Sequence, residues 1–102
     1  MPLKKRYLKS KPICKVTFEV PKQAAEDATS IHLVGEFNEW DTNLTPLVRR
    51  KSGTFNVTVD LESGRDYQYR YLVDGVRWQN DSSADRYQGT HIVGVENSVV
   101  EV

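Results

Sequence analysis

A single cysteine, Cys14, in 102 residues excludes an internal disulfide, the usual support of small secreted domains. No apolar run approaches the roughly 20 residues of a membrane-spanning helix. No signal-peptide pattern opens the chain, so a cytoplasmic setting without membrane contact is expected. Histidine is equally scarce. His32 and His91 stand far from each other and from Cys14, without the spacing of a metal site, so neither a metal nor another cofactor is expected. No glycine-rich phosphate loop follows a strand, since Gly89 and Gly94 fall in a polar loop. The length leaves room for one domain and not for a catalytic (β/α)₈ barrel of about 250 residues. The fourteen carboxylates fall mostly in turns, with no second element to fix a working pair at a set distance. Catalysis is not expected.

Net charge is zero, but the cations are unevenly placed. Lys4, Lys5, Arg6, Lys9 and Lys11 crowd the first eleven residues, leaving nine cations against fourteen carboxylates in the rest. Residues 1–12 therefore read as a basic arm, solvated and unpacked. Residues 13–102 read as the domain proper. The acidic balance of that domain argues against nucleic acid as a partner.

The chain is rich in short runs of period two. Cys14, Val16, Phe18 and Val20 alternate with polar residues, and Pro21 ends the run. Ser30–Gly35 places Ile31 and Leu33 on one face, with His32 opposite. Phe55, Val57, Val59 and Leu61 alternate again, as do Tyr67, Tyr69, Tyr71 and Val73, which leaves Arg70 facing solvent. Lys22–Thr29 offers at most a helical turn, too short to stand alone. Leu47–Arg50 reads as a short strand, Asn80–Glu96 as a long loop and Ser98–Val102 as a last strand. About seven short strands in some 90 residues predict an antiparallel β-sandwich of immunoglobulin type. Asp74-Gly75 marks a hairpin whose turn decides the place of Trp78. A two-residue turn sets Trp78 against Tyr71 in the core. A bulge at Gly75 sets it on the side of Arg70, with Leu72 facing Val76.

Three blocks carry a resemblance. Gly35-Glu36-Phe37-Asn38-Glu39-Trp40 resembles the GxFNxW signature of the isoamylase early-set domains, or family 48 carbohydrate-binding modules. Tyr67–Gly75 followed by Trp78 resembles the family's YxYRYxVDG…W hairpin, and Glu96–Val102 its terminal strand. The family includes the glycogen-binding domain of the AMP-activated protein kinase β subunit. The resemblance implies an all-β, immunoglobulin-like (early-set) sandwich and a non-catalytic module that binds α-glucan of the glycogen or starch type. The implied partner is an α-1,4-glucan polysaccharide or maltooligosaccharide, with a glycogen-metabolising enzyme as a second. By resemblance the sugar-binding roles fall on Trp40, Arg70, Trp78 and Asn97, with Val93 in place of a loop leucine. Three departures stand out. Arg70 replaces a lysine, the hairpin has one more residue before Trp78, and residues 90–95 match poorly. The competing reading is a protein-interaction module that docks on a glycogen- or starch-active enzyme or regulator without holding sugar.

Overall fold

A computed structural model describes residues 3–25 and 27–102. Met1 and Pro2 of the basic arm and Glu26 of the Lys22–Thr29 stretch lie outside the described residues. The strands are β1 (Lys4–Tyr7), β2 (Ile13–Val20), β3 (Ile31–Gly35), β4 (Val48–Arg49), β5 (Phe55–Glu62), β6 (Asp66–Val73), β7 (Arg77–Gln79), β8 (Arg86–Gly89) and β9 (Glu96–Glu101). All described pairings are antiparallel and form two sheets. One sheet runs β1-β2-β5-β4; the other runs β3-β6-β9-β8, with β7 paired to β6. The architecture is an all-β sandwich.

Alternation explains the packing. The inward residues of β2, namely Cys14, Val16, Phe18 and Val20, are buried and meet Ile31, Leu33, Tyr69, Tyr71 and Val73 of the opposite sheet in one core cluster. Phe18 touches Tyr69 edge to face, with ring centroids 4.9 Å apart, a geometry that suits the aromatic quadrupole. Val57 and Val59, expected in the core, are half-buried and pack against it.

Two expectations need correction. The basic arm is not unpacked: Lys4–Tyr7 pairs with β2, and Leu3 is buried. Charge density hid its period, because Lys5 on the inward side is satisfied by Asp85 at 2.6 Å rather than by apolar contact. The stretch 80–96 is not all loop, since Arg86–Gly89 pairs with β9. Every residue of β8 is exposed, so no hydrophobic alternation announced it. Lys22–Thr29 keeps to the helical turn expected of it: the Ala24 and Ala25 N–H groups both donate to the Pro21 carbonyl, and no helix follows among the described residues of that stretch.

One crossing ties the sheets together. Leu33 and Ile31 of β3 exchange backbone bonds with Thr45 and Leu47, and the next two residues pair with β5 of the other sheet as β4.

Candidate carbohydrate-binding face

The signature loop leaves β3 through Gly35. A Cβ there would lie 2.6 Å from the Gln68 carbonyl oxygen and 2.7 Å from the Tyr69 Cβ, so close approach rather than dihedral freedom requires glycine. Phe37 turns inward against Phe18, Tyr67 and Tyr69. Asn38 is buried and fastens the loop: its amide donates to the Leu33 carbonyl at 2.8 Å and to Thr45, while its Oδ1 accepts the Gly35 N–H. Glu36 accepts the Gln68 N–H at 2.7 Å. Glu39 and Trp40 then both take left-handed backbone angles, φ 56° and 58°, a costly conformation for such side chains that the surrounding bonds enforce. Trp40 emerges 38% exposed.

The hairpin combines features of both expected turns. Asp74 and Gly75 have positive φ, 53° and 72°, and the Val76 N–H donates to the Val73 carbonyl at 3.1 Å, as in a type I′ turn. The extra residue is Val76, not Gly75. Val73 therefore pairs with Arg77 and Leu72 with Trp78, rather than Leu72 with Val76. Trp78 still lands on the Arg70 side of the sheet. Asp74 Oδ1 accepts from the Ser30 N–H, the Thr29 N–H and the Thr29 hydroxyl. Those bonds hold its carboxyl below the usual carboxylate range and peg the turn to the start of β3.

On this outer face the Arg70 guanidinium lies 5.2 Å from the Trp78 ring centroid, a cation–π contact. Beneath run Val34, Leu72 and Val99, all buried yet outside the main core cluster. Their cross-strand neighbours are Arg70, Trp78 and Gln68 respectively. Arg70 and Trp78 thus border a thin second apolar layer, which explains why Trp78 is 45% rather than fully exposed.

Asn97 is buried on β9, where its amide donates to Gln68 Oε1 at 3.0 Å. Its own Oδ1 and the Arg70 Nε are buried with no partner among the described residues. A depression of about 390 Å³ collects Trp40, Gln68, Arg70, Thr90, Ile92 and Asn97 on its walls, with His91 and Val95. Of the residues implied by resemblance, Trp40, Arg70 and Asn97 share this depression. Trp78 joins through Arg70. Val93 does not line it: it sits fully exposed at the tip of a loop braced by Thr90, whose hydroxyl bonds the Val95 carbonyl at 3.0 Å. Gln68 was legible in principle, because it has the same strand parity as Arg70. The face offers an indole surface, guanidinium and amide donors, and one orphaned amide acceptor.

Behind this face lies a network that periodicity does not reveal. Asp81 is buried, and its Oδ2 accepts both the Tyr69 hydroxyl at 2.8 Å and the Tyr71 hydroxyl at 3.0 Å. Its backbone N–H donates to Ser98 Oγ at 2.8 Å, and Ser98 in turn donates to Asn80 Oδ1. Burial, with the Asp81 charge second, pushes both phenols well above their ordinary range. These residues alternate along the chain with the outer-face groups. Arg70 lies between the two tyrosines, Asn97 precedes Ser98, and Trp78 stands three residues before Asp81.

Comparison with known proteins agrees with this architecture. The chain is 35% identical over 60 residues to a 1,4-alpha-glucan branching enzyme GlgB of Aquifex aeolicus (strain VF5). The match covers 58% of this chain but only 10% of that protein. The family profile described as the glycogen recognition site of AMP-activated protein kinase matches residues 21–102, from the end of β2 through β9 and so across every outer-face residue named above. The chain belongs to the family of AMP-activated protein kinase glycogen-recognition domains.

Proposed function

We propose that this protein is a non-catalytic module that binds α-1,4-glucan by stacking glucose rings on Trp40 and Trp78, with Arg70 and Asn97 bonding the hydroxyls. The observation that carries the reading is the gathering of Trp40, Arg70 and Asn97 around one open depression, with the Arg70 guanidinium against Trp78. A pyranose ring has an apolar C–H face that fits an indole, and each platform burying roughly 50–100 Å² contributes about 1–2.5 kcal/mol before ordering costs. Two such platforms give weak binding per module, multiplied where several modules meet one polymer. Because Arg70 covers part of Trp78, the sugar meets a composite surface of guanidinium and indole there. Val93 supplies apolar contact from the loop tip. Family membership supports a glycogen-type ligand and a cytoplasmic setting.

A second reading is favoured by the match to part of a branching enzyme. In that reading the same face docks on a glycogen-active enzyme. Co-sedimentation with glycogen separates the two: retention that is lost in Trp40→Ala supports sugar binding, whereas a folded wild-type protein left wholly in the supernatant refutes it.

A further inference from the structure

The basic residues at the start of the chain gain a defined geometry in the sheet. In β1, Lys5 faces inward and is paired with Asp85. Lys4 and Arg6 face outward, opposite Thr17 and Lys15 of β2. The next strand continues the rows, with Thr58 beside Thr17 and Asp60 beside Lys15. Lys15 is neutralised by Asp60 at 2.9 Å, and the Thr17 and Thr58 hydroxyls bond each other at 2.9 Å. Among the described residues, Lys4 and Arg6 have no carboxylate partner. Lys4, Lys5, Arg6, Lys15, Thr17 and Thr58 together line a hollow of about 240 Å³. It lies on the opposite sheet from Trp40, Arg70, Trp78 and Asn97.

Folding does not call for this arrangement. Like charges directly opposite on neighbouring strands are destabilising, yet Arg6 stands opposite Lys15. Lysines on an edge strand discourage sheet-to-sheet association, but that role needs neither a second-strand cation nor a hydroxyl pair beside them. The pattern has the chemistry of an oxyanion cradle. Arg6 supplies a planar fork and Lys4 a point charge, while the threonine pair keeps one hydroxyl hydrogen to donate.

We propose that this hollow binds a phosphate monoester group. Two uncompensated cations match the charge of roughly −1.5 to −2 that such a group carries at neutral pH, and its three terminal oxygens suit donors spread over three strands. The site is independent of the glucan reading, because none of its residues belongs to that face.

The test is titration of the isotopically labelled protein with inorganic phosphate at constant ionic strength, followed through backbone amide resonances. The Thr17 and Thr58 amides are expected to shift saturably in the low millimolar range, about that of a few ordinary contacts. Arg6→Ala and Lys4→Ala should each weaken binding by about fivefold or more, as for loss of one charge-assisted contact. The double variant Lys9→Ala, Lys11→Ala, which removes two charges outside the hollow against one in each of those variants, should bind as wild type. Drift without saturation, or equal weakening in that double variant, overturns the proposal in favour of a diffuse positive surface. A phosphoserine peptide and glucose 6-phosphate, each beside its unphosphorylated counterpart, then tell a protein-borne from a sugar-borne phosphate. Discrimination in either pair supports the site, and equal binding of an unphosphorylated acidic peptide overturns it. Glycogen retention by Arg6→Ala should equal that of wild type.

Discussion

The guanidinium of Arg70 rests 5.2 Å from the ring centroid of Trp78, and the extra residue Val76 makes that contact possible. Were Val76 to join the ladder opposite Val73 instead of standing in the turn, the register would shift by one and carry Trp78 to the core side.

Trp78→Ala is therefore a variant that folds. Removing the half-exposed ring uncovers part of Leu72 and ends the contact with Arg70, a loss of about 1–2 kcal/mol rather than the 3–5 kcal/mol typical of a buried aromatic. Most glycogen retention should disappear, whereas Arg70→Ala, which leaves both indoles in place, should weaken it less. Thermal melting and co-sedimentation on the same preparations check both halves. A folded Trp78→Ala protein that retains glycogen normally removes this residue from the site.

Asp81 is the expected weak point of the fold. Asp81→Ala strips the acceptor from two buried phenols, at about 1–3 kcal/mol for each unsatisfied hydroxyl. Denaturant unfolding should show a loss of at least ~2 kcal/mol, with Tyr71→Phe alone costing much less. A near-neutral Asp81→Ala would show that the tyrosine hydroxyls find other partners.

Much of this was open to sequence reading. The core strands were legible because Val16, Phe18, Tyr69 and Tyr71 alternate with polar residues, and burial on one face imposes that period. Asp81 was not, because a buried carboxylate in a turn-rich stretch looks like any solvated one until its tyrosine partners are placed. The face of Trp78 was ambiguous for a different reason: Asp74-Gly75 suits more than one turn, and the position of the extra residue is set by Asp74 bonding to Thr29 and Ser30, some 45 residues away. Nor does the sequence state that Lys5 meets Asp85.

Alkaline conditions should unfold the protein early. The Tyr69 and Tyr71 phenols are raised above their ordinary value of 10.0 by burial and by Asp81. The folded state thus keeps protons that the unfolded state releases. Their stability contribution is complete below pH 10 and is lost as pH rises further, at about 1.4 kcal/mol per pH unit for each tyrosine. Tyr71→Phe should roughly halve the slope of stability against pH between about 10 and 11.5. An unchanged slope would mean that other groups govern alkaline unfolding.

Deleting residues 1–11 should cost stability rather than leave it unchanged. The deletion removes β1, the buried Leu3 and the Lys5–Asp85 pair. Burying a leucine alone is worth about 1.5–3 kcal/mol, so the melting temperature should fall by roughly 10 °C. Calorimetry decides, and a shift within a degree or two would show that β1 is only loosely held.

The crossing at residues 45–49 has a consequence for how the molecule opens. Thr45 and Leu47 are bonded to β3, and Val48 and Arg49 to β5, so two adjacent residues belong to different layers. Separating the layers would pull this segment off one strand or the other. Partial opening that frees one sheet and spares its neighbour is thereby penalised. Amide protons of β3 and β5, far apart in the chain, should exchange with solvent in the same slow event, as members of a single cooperative unit.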